Sequence, residues 1–135
     1  MAALDFPDAP TVGQVFDKWT WNGTMWELTA GVAPTAWTAV TFLNGWSNYG
    51  SGFQTMQYRK VGDIVYLRGF VKGGTASTAV FALPVGYRPP ATTRFATLNT
   101  GVTTGYWEMT SAGNVVHQAG AVGDVSVNFT FSTIA

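Results

Sequence analysis

The sequence predicts an all-β fold, an antiparallel β-sandwich of jelly-roll-like outline with a small N-terminal β-hairpin arm. Three observations carry that expectation. Over residues 125–132 apolar Val125, Val127, Phe129 and Phe131 alternate strictly with Ser126, Asn128, Thr130 and Ser132, the period-two pattern of a strand with one buried and one wet face. Two β-branched and aromatic runs, residues 56–61 and 64–71, flank Gly62 and Asp63, a short turn that makes them a hairpin. No window places apolar residues at the 3.6-residue helical period.

Residues 1–28 form the first unit. Pro7 and Pro10 keep its start extended, because proline fixes φ and biases the preceding residue away from helix. Residues 19–21 and 25–28 then flank Asn22, Gly23 and Thr24, a turn in which Asn-Gly favours positive φ and the third residue allows a bulge. Trp19 and Trp21 share a strand face within reach of Trp26 across the hairpin. An isolated hairpin is marginal in water, so this one must dock on something.

Residues 29–37 read as a linker, and residues 38–135 as the sandwich. Residues 38–43 are β-branched and aromatic until Asn44 and Gly45 break them, and residues 46–53, with Gly50 and Gly52, read as an aromatic-rich loop. In the second strand of the central hairpin Val65, Leu67 and Val71 share one face, while Tyr66, Arg68 and Phe70 share the other. Gly69 between them points to a bulge or a close backbone approach. Residues 72–75 turn the chain into residues 79–83, whose Ala79, Phe81 and Leu83 make a further apolar face before Pro84, Pro89 and Pro90 end strand structure. Residues 95–98, 105–110 and 114–118 complete a set of about eight short strands, the number and spacing of a sandwich.

At 135 residues the chain is one domain with room for a small appended module. Aromatic residues make up 15% and charged residues only 10%, against about 25% charged in ordinary soluble domains. Such a chain builds a dense core but has few charges to solvate its surface. We therefore expect much of that surface to be covered by protein partners, since interfaces deplete charge and concentrate aromatics, in preference to the alternative of a neutral Thr/Ser/Asn/Gly-rich surface of the kind all-β proteins show. The net charge of zero gives no basic footprint for nucleic acid. Its distribution is uneven: Asp5, Asp8, Asp17 and Glu27 face Lys18 alone in the first unit, and six lysines and arginines outnumber Asp63, Glu108 and Asp124 in the remainder.

Several chemistries are not expected. Cysteine is absent, which removes disulfides, thiol catalysis and thiolate metal sites. The start lacks the basic and apolar regions of a signal peptide, and no segment has the roughly 20 apolar residues of a membrane span. The expected product is made in the cytoplasm, with no membrane insertion. His117, the single histidine, has no cluster of carboxylates at ligand spacing, and reads as a strand histidine facing solvent or a subunit contact. No serine lies in a Gly-x-Ser-x-Gly elbow. Of the carboxylates in the main domain, Asp63 and Asp124 belong to turns, which leaves Glu108 without an obvious second carboxylate for glycoside hydrolysis. The glycine pairs lack the helix and lysine of a phosphate loop. The reading is therefore of no enzyme, no catalytic residue, no metal and no cofactor. Among the aromatics, Trp46, Tyr49 and Trp107 are the candidate ligand-contact residues, weighed against the alternative that they pack the core or a subunit contact.

Two segments carry a family resemblance. Phe6, Pro7, Pro10, Gly13 and Phe16, followed by Trp19, Trp21, Gly23 and Trp26, resemble a short module near the N-terminus of tail-fibre and related virion proteins of tailed bacteriophages. Over residues 43–97, Asn44-Gly45-Trp46, then Tyr58-Arg59-Lys60-Val61-Gly62-Asp63, Val65-Tyr66-Leu67-Arg68-Gly69, Lys72-Gly73-Gly74-Thr75 and Phe81-Ala82-Leu83-Pro84 before Gly86-Tyr87-Arg88-Pro89 are similar to C-terminal β domains of phage surface proteins. Residues 103–109 and 116–120 depart from that pattern, so family ligands are not carried over to them. The resemblance implies a homotrimeric virion surface protein whose N-terminal module attaches to the particle, through Phe6, Trp19, Trp21 and Trp26, and whose β domain is displayed. Its partners would be copies of itself and other virion proteins of capsid or tail, and in a receptor-binding role a host surface glycan. The linker spans about 30 Å at full extension, which makes the chain a compact knob without a shaft. That favours a capsid decoration (cement or head-fibre-like) protein over a tail-fibre or receptor-binding protein, with a free carbohydrate-binding module as a further alternative.

Overall fold

The computed structural model describes residues 5–28, 31–99 and 103–135, and the chain divides into two compact units, Met1–Ala33 and Pro34–Ala135. Among the described residues there is no helix. Residues 29 and 30 of the expected linker lie outside the described residues.

The first unit is a three-stranded antiparallel sheet of β1 (Val15–Phe16), β2 (Trp19–Trp21) and β3 (Trp26–Leu28), in that order. The expected hairpin is β2–β3, in which Trp21 pairs with Trp26. Its turn is an Asx turn: the Asn22 side-chain oxygen accepts from the backbone N–H of Thr24 at 2.9 Å and of Met25 at 2.8 Å. The strand β1 was not expected, because two residues are too few to show a period. It turns into β2 through Asp17 at φ 53°, a left-handed conformation that Asp tolerates better than most residues.

The described residues of the second unit form nine strands: β4 (Thr38–Ala39), β5 (Trp46–Asn48), β6 (Gln57–Val61), β7 (Ile64–Gly73), β8 (Ala79–Ala82), β9 (Thr93–Asn99), β10 (Thr103–Met109), β11 (Asn114–Ala119) and β12 (Val125–Ser132). Hydrogen bonding runs in the order β4-β6-β7-β12-β9-β10-β11-β8, with β5 also on β7, and every pair is antiparallel. Among the described residues Val125–Asn99 is the one ladder pair between β12 and β9, so the ladder all but breaks there and the two halves fold face to face as a sandwich. Ring contacts across the interior tie them together. Phe95 of β9 stacks on Phe129 of β12 at 4.8 Å, and Trp46 of β5 meets Trp107 of β10 at 6.3 Å. Of the expected jelly-roll outline the strand order contains one Greek key, in which β9, β10 and β11 meander and β8 returns beside β11.

The central hairpin follows its sequence pattern. Val65, Leu67, Gly69 and Val71 are buried, and Tyr66, Arg68 and Phe70 are half-buried on the opposite face. The strand β12 pairs along β7 from Val125–Val71 to Ser132–Ile64. At Gly69 the close approach is the reason for glycine: a Cβ would lie 2.5 Å from the Met56 Cα.

Three segments differ from expectation. Residues 38–43 make only the short β4, because Leu43 donates its N–H to the Val80 carbonyl at 2.8 Å and the Asn44 amide donates to the Ala79 carbonyl at 2.7 Å. That carries the chain from the β4–β6 side over to the β8 edge and covers it. Trp46 opens a strand instead of a loop, paired with Gly73. Residues 34–37 of the expected linker belong to the sandwich, where Thr35 and Lys60 exchange two hydrogen bonds of 2.8 and 2.9 Å.

Candidate functional site

The four aromatics expected to attach the chain come together in the first unit. Phe6 stacks on Trp26 at 5.1 Å and meets the edge of Trp19 at 5.9 Å, while Trp21 contacts Trp26 at 5.7 Å. Phe16 adds a fifth ring, 5.6 Å from Phe6. The rings are half-buried. Around them Val12 (76%), Val15 (61%), Met25 (56%) and Leu28 (61%) are largely open to solvent, a high density of exposed apolar side chains for so small a sheet.

In the second unit the expected ligand-contact aromatics separate. Trp46 and Trp107 are core residues, 4% and 0% exposed, which corrects their assignment to a binding surface. The Trp46 indole fills the space beside Gly74, where a Cβ would overlap the ring. Trp107 follows Gly105 and precedes Met109 on the buried face of β10. His117 lies between these two indoles, 5.7 Å from Trp46 and 5.2 Å from Trp107, and is fully buried. The expectation of a solvent-facing or subunit-contact histidine is thereby corrected. Neither ring nitrogen has a hydrogen-bond partner in the structure, and burial lowers the imidazole pKa. His117 is thus a neutral core ring.

Glu108, which the sequence left without a second carboxylate, has a basic partner. It pairs in register with Arg94 across β10 and β9, with Arg94 Nη2 2.8 Å from Glu108 Oε2, and it accepts from Gln118 at 3.1 Å. The Arg94 hydrogen bond holds the carboxyl below the usual carboxylate range. An ionised carboxylate committed to a guanidinium is a poor general acid. Among the described residues no three His, Cys, Asp or Glu side chains gather as a metal site.

Tyr49 alone of the three ligand candidates stays at the surface, in a cluster on the outer face of the sandwich. It contacts Phe53 at 5.1 Å and Phe70 at 4.9 Å, and Phe53 lies 4.8 Å from Phe70 while remaining 53% exposed. The cluster borders an open groove of about 500 Å³ that Gln54, Arg68, Ser126 and Asn128 also line. Arg68 is held in place there: its Nε and Nη2 donate to Gln57 Oε1 at 3.2 and 2.9 Å, and its guanidinium lies 3.8 Å from the centre of the Trp37 ring. Arg59 also lies over Trp37, at 4.5 Å.

Sequence reasoning missed Trp37, Gln57, Arg59 and Arg68. The available signal was the polar-aromatic face of β7, which in hairpin register puts Gln57 opposite Arg68 and Arg59 opposite Tyr66. Comparison of the chain with protein-family models and with curated proteins returns no match.

Proposed function

We propose that the chain is a non-enzymatic structural protein of a tailed-phage particle, a β-sandwich knob, homotrimeric, that decorates and stabilises the capsid. The observation that carries this reading is the first unit. Its three strands are only two or three residues each, at or below the short end of strand lengths in globular proteins. Yet this unit concentrates five aromatic rings and four exposed apolar side chains. Covering that surface on a larger protein offsets the cost of ordering it, which is what an attachment module does. The two motifs that resemble phage virion modules support a phage particle as that larger partner, and the low charge of the whole chain agrees with broad protein contacts.

A second reading, tail-fibre or receptor-binding use, is favoured by the solvent-held Phe53 and the groove beside it. A free carbohydrate-binding module draws on that same groove, now without Trp46 and Trp107. Labelling the C-terminus on purified particles separates these. Copies in the hundreds over the head support decoration. A handful at the tail, together with blocked adsorption by purified protein, establishes the second reading, and absence from particles leaves only the third.

A further inference from the structure

We infer that the outer face formed by β6, β7 and β12 binds an acidic oligosaccharide, with Arg59 and Arg68 receiving its carboxylate and the Phe53–Phe70 rings receiving a neighbouring sugar. The inference begins with an electrostatic imbalance. Arg59 and Arg68 place two guanidinium groups over one indole, Trp37, at 4.5 and 3.8 Å. Two like charges drawn to one ring repel each other, and a neighbouring carboxylate would be the ordinary compensation. None is there: among the described residues the one ion pair is Arg94–Glu108, on β9 and β10. Arg68 instead spends two donors on the neutral amide of Gln57, and the buried Arg59 Nε has no hydrogen-bond partner. A guanidinium carries five N–H donors, so Arg68 keeps donors in a fixed fork beyond the two given to Gln57, while the enclosed Arg59 Nε leaves only that side chain's outer nitrogens for a ligand. Among the described residues no carboxylate pairs with either guanidinium, so this face is a positive patch that suits an anion from outside the chain.

What adjoins the arginines selects the kind of anion. Phe70 follows Arg68 on the same face of β7, about 7 Å along the strand. It supports Phe53, an aromatic ring held in a cluster yet 53% exposed. A flat apolar ring presented to water suits the C–H face of a sugar. Ser126 and Asn128, exposed on β12, offer a hydroxyl and an amide for sugar hydroxyls, and Asn128 pairs with Arg68 in register. A second groove of about 430 Å³ shares Ser126 and Asn128 and runs on past Leu98. The ligand-accepting track is therefore longer than a lone anion needs. A nucleic acid strand asks for repeated stacking platforms along a basic groove, and this face offers one platform beside one charged pair. The face belongs to the second unit, so the inference stands whether or not the first unit attaches the chain to a particle.

The test uses the full chain with trigalacturonic acid as the acidic probe, maltotriose as its neutral counterpart and a thymidine hexanucleotide as the nucleic acid. Binding is followed by calorimetry and by the NMR signals of the Arg68 side chain and the Trp37 indole. Trigalacturonate should bind, shift both signals and weaken as salt rises, and maltotriose should bind at least about tenfold more weakly, a difference of about 1.4 kcal/mol. Arg68→Gln should abolish the preference for the acid. Asn128→Ala, at an exposed position, should weaken binding severalfold with an unchanged melting curve, which guards against a folding defect in the arginine variant. No binding of trigalacturonate at millimolar concentration overturns the inference. Equal binding of maltotriose, or tighter binding of the hexanucleotide, also overturns it. So does an Arg68→Gln variant that loses its oligomeric state while the wild type ignores all three probes, because the outside anion would then belong to a second copy of the chain.

Discussion

Acidification should destabilise the sandwich through one side chain, His117. The imidazole is fully buried between Trp46 and Trp107, with no hydrogen-bond partner at either nitrogen. Burial lowers its pKa in the folded state, and the unfolded chain keeps the ordinary value near 6.5. Above that value both states are neutral and the group contributes nothing to pH dependence. Below it the unfolded chain takes up a proton that the folded chain refuses, so stability falls as pH falls. The slope reaches at most about 1.4 kcal/mol per pH unit. At pH 5.5 the loss is therefore up to about 1.4 kcal/mol, a sizeable part of the roughly 5–15 kcal/mol that holds a small domain together.

His117 is the single histidine of the chain, and its nearest acidic neighbour in the ladder, Glu108, pairs with Val116 and faces Arg94 instead. Glu108 has a depressed pKa, so its contribution is intact above the ordinary carboxylate value and does not shape the profile between pH 7.0 and 5.5. Urea unfolding followed by tryptophan fluorescence at fixed protein concentration, at pH 7.0, 6.0 and 5.5, reads the effect directly. His117→Phe should flatten the profile over this range and leave stability at pH 7 similar or higher, since it removes unmet buried polar atoms. A wild-type profile that is already flat, or a slope that survives in His117→Phe, would refute the reasoning.

Three further outcomes follow from the packing. Gly69→Ala puts a Cβ 2.5 Å from the Met56 Cα and 2.9 Å from its backbone nitrogen; backbone must move, and thermal melting should show a loss of about 1–3 kcal/mol. Trp107→Ala empties the centre of the core and should cost about 3–5 kcal/mol in the same assay. Glu108→Gln should lower the melting midpoint slightly at neutral pH, and the variant and wild type should converge in acid. A depressed carboxylate stabilises only above its unfolded pKa, and that stability disappears as pH falls through the folded one.

How much of this was legible in the sequence depended on whether a position's environment is local. The alternation in β12 and on β7 named the buried face correctly, because a strand's period alone decides which side chains share a face. Trp46 was misread because glycines mark both exposed loops and tight packing; here Gly74 makes room for the indole, a contact 28 residues away in sequence that only the β5–β7 pairing creates. His117 was misread because Val115, Val116 and His117 are buried in succession, so β11 breaks the alternation that would have assigned its face. Register shifts on both sides of β11 accompany that break. The two arginines over Trp37 were hidden for a related reason. Their convergence requires the β6–β7 register together with residues 34–37 folding back onto Lys60, and composition had marked those residues as linker. In the first unit the Asn22-Gly23 turn and the paired tryptophans were readable, whereas Phe6 entered the cluster from outside any strand.

The proposed attachment role of the first unit is tested most directly by the amount of this chain on purified phage particles, wild type against Trp26→Ala, by quantitative mass spectrometry. We expect hundreds of wild-type copies per particle and near-complete loss of the variant, while the released variant keeps the melting transition of residues 34–135. Full retention of the Trp26→Ala chain, or particles that carry no copy of the wild type, would contradict it.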